Sequence, residues 1–142
     1  KMNGEINEPL FRDKKDPTKY SVNANGKSSI TKYEIEKIFR HSSLVSFFPL
    51  TGRTHQIRVH ASYCGHPIFG DEKYGGGISR SKGFLPEFKS HYKKMIQKFN
   101  RHALHAERLE LIHPVSKQIV KFDAPLPQEY LDLVKSINLL NE

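Results

Sequence analysis

The stretch "ITKYEIEKIF", residues 30–39, alternates strictly, with Thr31, Tyr33, Ile35 and Phe39 on one side and Lys32, Glu34 and Glu36 on the other. Successive side chains of an extended chain point to opposite faces, so a period of two predicts a strand with one face in a core and one in water. After Arg40-His41-Ser42 comes "SLVSFFPL" over 43–50, which reads as a second, more fully apolar strand. The short polar interruption predicts an antiparallel hairpin. A chain containing such a hairpin is committed to a sheet with a covered face.

The remaining segments are read around that sheet. Residues 1–29 are polar and punctuated by Asp13-Lys14-Lys15-Asp16-Pro17 and Asn23-Ala24-Asn25-Gly26, which predicts a surface loop carrying short strands. At Thr54 the period changes. Ile57, Ala61 and Cys64 recur at helical spacing, Thr54 is placed to act as N-cap, and Gly65 followed by Pro67 stops the element, giving a short helix over about 54–64. "GDEKYGGGISRSKG" is a glycine-rich connection, and helical spacing resumes through Leu85, Phe88, Tyr92, Met95 and Phe99 with a basic opposite face. "ALHAERLELI" and "KQIVKFDAPL" predict two strands turned around His113-Pro114-Val115-Ser116. A closing helix runs from Gln128 through Tyr130, Leu133, Val134, Ile137 and Leu140. The expected class is α+β, one domain, with a mixed, mainly antiparallel sheet and a few flanking helices.

With 142 residues the chain is long enough for a real core. Its 23 Lys and Arg against 15 Asp and Glu leave a net charge of +8, an excess that favours a polyanionic partner such as nucleic acid. A single cysteine excludes an internal disulfide and fits a reducing, cytoplasmic setting. No apolar run approaches the roughly 18 residues of a membrane span, so no membrane partner is expected. A chain that opens on Lys1, with the turn signal Asn3-Gly4 following at once, is expected to begin inside a larger sequence.

The stretch "LTGRTHQIRVHASYCGHPIFGDEKYGG", residues 50–76, concentrates the chemistry. His55, His60, Cys64 and His66 have no common metal-ligand spacing, because His55 lies well round a helix from His60, so no metal is expected. Cys64 falls on the predicted apolar stripe at a helix C-terminus, where a buried, inert thiol is expected. Asp71 and Glu72 are adjacent and diverge, so Asp71 reads as a turn residue rather than half of a carboxylate pair. Arg53 and Thr54 stand at a predicted helix N-terminus, where free N–H groups favour a phosphate. Arg58 sits at the edge of the apolar stripe, a position that suits an arginine holding a carboxylate or a phosphate. Lys89, Lys93, Lys94 and Lys98, flanked by Arg80, Lys82 and Arg101, form a lopsided basic face. It is either a solvated surface or a phosphate contact.

"TGRTHQIRVHASYCGHPIFGDEKYG" resembles the G-R-T-H-Q-I-R-V-H…G-H-P-I-x-G-D-x-x-Y-G signature of RluA-type RNA pseudouridine synthases. "GEINEPL", "GKSSITKYEI" and "ALHAERLELIHPVSKQIVKFDAPLP" match further family elements in order, from about Gly4 to Pro127. The resemblance implies an isomerase that acts on uridines in structured RNA without cofactor or metal, taking the target base out of its stack. Ribosomal RNA of the large subunit is the first expected substrate and transfer RNA the second, and a monomer is expected. The resemblance also implies that Arg58 pairs with the catalytic aspartate and that Leu104 packs beside the flipped base. Arg53, Thr54 and His55 are implied to face RNA, and the basic run adds Lys93, Lys94 and Lys98 as expected RNA contacts on charge alone. In the family that aspartate lies in an H-R-L-D element followed by a tyrosine in Y-x-A-x-V. None of Asp13, Asp16, Asp71, Asp123 and Asp132 follows H-R-L, and Tyr20 and Tyr33 lie outside the tyrosine's context. The chain is therefore expected to be the C-terminal portion of a catalytic domain whose aspartate lies upstream, and to be inactive alone. The alternative is a catalytically silent RNA-binding module.

Overall fold

The computed structural model describes residues 2–141. Its alternating stretch forms β4 (Ile30–Ile38), paired antiparallel with β5 (Ser43–Pro49) as expected. The alternation has one interruption: Ile35 faces Val45 but Lys37 faces Leu44, leaving Glu36 as an extra residue. A bulge of this kind bends the strand. Ile38 is exposed beyond it, while Phe39 is buried. The apolar run of β5 forms the second strand of the hairpin, as expected, without being buried. None of its residues is fully covered, and Phe48 is 49% exposed.

The N-terminal segment carries short strands, as expected, and they are tied into the fold. β1 (Asn3–Asn7) pairs antiparallel along the other side of β4, giving the order β1-β4-β5. Ile6 and Leu10 are buried. β2 (Leu10–Arg12) and β3 (Tyr20–Val22) form a second antiparallel pair. Between them Asp13 Oδ1 accepts the N–H groups of Lys15 and Asp16, and Asp16 accepts from Thr18. These are the local carboxylate turns that Asp residues favour.

The first helix, α1 (Gln56–Tyr63), has a different buried face from the one expected. Gln56, Val59, His60 and Ala61 are covered, Ile57 is partly covered, and Cys64 is exposed. The inward face is partly polar because hydrogen bonds attach it. Gln56 Nε2 donates to the Ile30 carbonyl (3.0 Å) and to Thr31 Oγ1 (2.9 Å). Its Oε1 accepts from Thr51 Oγ1 (2.7 Å) and from the Arg53 N–H (3.0 Å). His60 has no exposed surface. Its Nε2 meets the Glu8 carbonyl at 2.9 Å and its Nδ1 meets Thr31 Oγ1 at 2.8 Å. A carbonyl only accepts, so Nε2 carries the proton and Nδ1 takes the Thr31 hydroxyl proton. Among the described residues no buried side-chain nitrogen or oxygen lacks a partner.

The C-terminal half has its own apolar cluster. α2 (Pro86–Phe99) buries Tyr92, Met95, Ile96 and Phe99 against Leu133 of α3 (Gln128–Asn138), with Phe69, Phe84 and Tyr130 packed around them. Proline at the start of α2 removes a donor that a helix cannot use there, and Asn100 at φ 52° closes the helix by donating its N–H to the Ile96 carbonyl. Tyr92 is buried, which pushes its phenol up to about 12, and it donates to the Gly76 carbonyl (3.1 Å). The expected strand pair is β6 (Arg108–Ile112) with β7 (Ile119–Asp123). One face carries the ion pairs Arg108–Asp123 (2.7 Å) and Lys121–Glu110 (2.9 Å). The other carries Leu109 opposite Phe122, both exposed. The class is α+β. The mixed sheet expected is replaced by three wholly antiparallel sheets among the described residues. No described helix is long and apolar enough to cross a membrane.

Replacing Gln56 with Leu keeps its approximate size but strands the groups it bonds. A buried unsatisfied group costs about 1–3 kcal/mol, so Gln56→Leu is expected to lower stability by about 2–4 kcal/mol in urea unfolding. A loss below about 0.5 kcal/mol would show that this network does not anchor α1.

Candidate active site

The loop from Ile68 to Gly76 is closed by its own backbone. Gly70 N–H donates to the Gly76 carbonyl (2.8 Å), Gly76 N–H to the Asp71 carbonyl (2.8 Å), and Asp71 N–H to the Ile68 carbonyl (3.1 Å). Gly70 has φ 76°, and the Arg101 carbonyl occupies the space a Cβ would need, so only glycine fits. This loop turns Asp71 inward, where it is 2% exposed. Asp71 is thus more than the turn residue expected. Its carboxylate accepts from Arg58 Nε (Oδ2, 2.7 Å) and Arg58 Nη2 (Oδ1, 2.8 Å), the paired geometry that suits guanidinium and carboxylate.

Tyr74 completes the frame. The Arg58 guanidinium lies 4.9 Å from the centre of its ring, within cation–π range. The Tyr74 hydroxyl accepts the Tyr20 N–H (3.1 Å) and lies 2.7 Å from His55 Nδ1. His55 begins α1 at φ 56°, an uncommon conformation for a residue with a side chain. The expected N-cap, Thr54, is one residue earlier and exposed, and no side chain caps the helix. The Tyr20 ring packs edge-on to His55 at 6.0 Å. Hydrogen bonding to Thr54, then to Arg12, lowers the Tyr20 phenol below its ordinary value.

The charges of the site follow from this packing. Burial works to raise the Asp71 pKa, but the hydrogen bonds and charge of Arg58 outweigh it and hold the carboxyl below its ordinary value. Arg58 is raised in turn by its hydrogen bonds to Asp71. Burial lowers His55, and the charges of Arg58 and Lys73 add to that, so the ring favours its neutral form. Burial raises the Cys64 thiol. The residue expected to be buried is exposed.

The structure gathers some of the residues singled out in the sequence and separates others. Arg58 and His55 meet around Tyr74. Arg53 is exposed and anchored through Nε to the Ser28 carbonyl (3.1 Å). Leu104 is half-buried on the segment that passes Gly70, where Ala103 N–H donates to the Phe69 carbonyl (2.8 Å). Lys93, Lys94 and Lys98 lie exposed on α2, whose packing is with α3 and the short helix Ile78–Ser81 rather than with α1. His60, expected at the surface, is buried with both ring nitrogens committed. Sequence reasoning missed Asp71 as Arg58's partner, and missed Tyr20, Tyr74 and His102, whose charge acts on Asp71. The glycines around Asp71 were an available signal for a fixed turn. Nothing local links Tyr20 to His55.

Residues 1–63 match the family model described as RNA pseudouridylate synthase. Ribosomal large subunit pseudouridine synthase D of Salmonella typhimurium is 42% identical over 134 residues, 94% of this chain and 40% of that protein. The chain belongs to the RNA pseudouridylate synthase family. The synthase of the same name from Escherichia coli K12 is 39% identical over 132 residues, 93% of this chain and 39% of that protein. The chain thus spans about 40% of the length of these curated relatives. Among solved structures, human RNA pseudouridylate synthase domain containing 1 superposes with a TM-score of 0.62 at 27% identity, covering 88% of this chain and 49% of that one. The chain thus shares the α+β fold of part of that synthase domain.

The Asp71 carboxyl has a folded pKa below its unfolded value of 3.8. It therefore contributes stability that is present above about pH 4 and is lost as pH falls through the folded value. Acid unfolding followed by circular dichroism should show this, and Asp71→Asn should flatten the decline below pH 4. An unchanged acid profile in the variant would show that the pair adds no pH-dependent stability.

Proposed function

We propose that the polypeptide carrying this chain isomerises selected uridines of large-subunit ribosomal RNA to pseudouridine, and that this chain supplies the arginine side of the active site. The observation that carries this reading is the framed guanidinium of Arg58, within the "GRTHQIRVH" element on which the family resemblance rests. The names of the curated relatives support ribosomal RNA as the substrate. In the reaction the N1–C1′ bond breaks, the base turns, a C5–C1′ bond forms, the C5 proton leaves and N1 takes up a proton, so the product is an isomer of the substrate and no cofactor enters the balance.

The carboxylate that starts this chemistry is placed outside these 142 residues, since none of the chain's aspartates follows H-R-L. A carboxylate beside a flipped uracil loses water, which raises its pKa and disfavours the reactive form. Arg58 opposes that shift because it remains charged at any relevant pH. Leu104 packs beside the flipped base. Arg53, Thr54 and His55 lie next to the site and take RNA backbone there, while Lys93, Lys94 and Lys98 offer a second basic region to the same polyanion. The cytoplasm, where bacterial ribosomal RNA is modified, is the corresponding location.

Release of tritium from 5-labelled uridine tests the reading. The full-length polypeptide is expected to release it from large-subunit ribosomal RNA and the 142-residue chain alone is not. Release by the isolated chain would contradict the missing carboxylate, and no release by the full-length protein would contradict the activity.

RNA binding is expected to weaken with salt, by roughly 0.7–0.9 log units per log unit of salt for each phosphate contact. Joint replacement of Lys93 and Lys94 by Ala should flatten that slope. If slope and affinity both stay the same, the α2 face is solvated surface.

A further inference from the structure

We propose that Asp71 is a positioning residue for Arg58: with Tyr74 it fixes the guanidinium so that its terminal Nη1/Nη2 edge is presented to a second carboxylate. The inference rests on the reading of Arg58 given above and assigns Asp71 a role that reading does not contain.

A guanidinium carries five N–H donors in one plane. Asp71 takes the side-on edge, using Nε–H and one hydrogen of Nη2. Tyr74 covers one face. The Nη1 hydrogens and the outer hydrogen of Nη2 have no acceptor among the described residues. They define the geometry a second carboxylate would meet in paired fashion. Exposure is distributed the same way. The Asp71 side chain is 1% exposed and the Arg58 side chain 14%, so the carboxylate is sealed behind the guanidinium and the cation faces outward. A pair formed only for stability has no need of this asymmetry, since buried ion pairs seldom outperform apolar packing. The loop of Asp71 is rigid by construction, with Gly70 wedged against the Arg101 carbonyl.

Asp71 also sets how much charge the second carboxylate feels. With Asp71 ionised the pair is nearly neutral, so the incoming group receives directed hydrogen bonds and little net attraction. Asp71→Asn keeps the shape and removes the opposing charge. Two effects follow: Arg58 loses its fixed orientation, which lowers the rate, and the unopposed cation lowers the pKa of the second carboxylate. The acid limb of the rate profile then moves to lower pH. His55, His102, Tyr74 and Lys73 also face the pair. They are present in both proteins, so their own titrations drop out of the comparison.

The experiment is single-turnover isomerisation by the full-length enzyme across pH, comparing wild type, Asp71→Asn, Asp71→Glu, Arg58→Met and the double variant Arg58→Met/Asp71→Asn. Asp71→Asn is expected to lose rate by up to about 100-fold, the scale of a 1 Å misplacement, with the acid limb shifted down. Asp71→Glu should recover part of the rate. In the Arg58→Met background Asp71→Asn should cost nothing further, because residues acting as a unit are not additive. A full rate in Asp71→Asn, or an equal loss in both backgrounds, overturns the inference. If Arg58→Met itself turns over at the wild-type rate, the reading of Arg58 in the chemistry is what fails. Positioning is then judged on the full-length protein by the ¹⁵N-edited signal of Arg58 Nε–H. That signal should exchange slowly in wild type and Asp71→Glu and vanish in Asp71→Asn. Its survival in Asp71→Asn overturns the proposal whatever the enzyme does.

Discussion

The attachment of α1 to β4 through Gln56, His60 and Thr31 is the constraint on which the rest of this structure depends. Thr31 Oγ1 receives a proton from Gln56 Nε2 and gives its own to His60 Nδ1, so one hydroxyl fixes two turns of the helix in rotation and in register. Apolar packing alone would tolerate a small rotation of α1. A chain of directed bonds at 2.7–3.0 Å with no unmet group does not, because any rotation breaks a buried bond. Arg58 lies between Gln56 and His60 in sequence, and its direction is therefore inherited from that network.

A second constraint reaches Arg58 from the other side. The Ile68–Gly76 loop is tied to α2 by the Tyr92 phenol on the Gly76 carbonyl and to the 101–104 segment at Gly70. The Arg58–Asp71 pair is thus one of the points at which the sheet-and-α1 half meets the α2–α3 half, together with His41 stacked on Phe84 and Lys37 bonded to Asn138. Burial of the carboxylate opposes its ionisation, and the two short bonds from Arg58 reverse that balance. Lysine at position 58 would keep the charge but not the planar fork, which alone can hold Asp71 on one edge and leave another edge open.

Much of the fold was legible because periodicity reports burial. β4, α2, the β6–β7 hairpin and α3 emerged near their predicted places, and the glycine-rich and proline signals marked their ends. The failures share a cause. The apolar spacing of Ile57, Ala61 and Cys64 suggested one buried face for α1, but the helix turns Gln56 and His60 inward because their partners on β4, and on the chain after β1, accept and donate in return. Those partners are 25 and 52 residues distant from Gln56 and His60, and a period within one helix carries no trace of them. β5 is the apolar hairpin strand its sequence predicts, and apolar composition alone does not report cover: Phe48 is half exposed. Short strands were expected within residues 1–29, but β1, with Ile6 as its single buried residue, carries too sparse a signal to reveal its pairing with β4.

At the site, the motif told which residues matter and the fold tells how they are held. Arg58 was recognised as a cation at the edge of the core, with a carboxylate or a phosphate left open as its partner. Asp71 occupies one edge and leaves the other, which changes the meaning of that choice. Were the Arg58 charge free, any phosphate of a passing RNA would compete for it, and a strongly basic chain attracts many. With Asp71 neutralising most of that charge and only a planar edge exposed, long-range attraction is weak and directional hydrogen bonding remains. On the reading proposed above, binding of the polyanion would fall to residues such as Arg53 and the α2 lysines, which carry no buried counter-charge among the described residues. That division would separate affinity for RNA from recognition of one carboxylate, and its physical origin is the burial of a single aspartate behind the arginine.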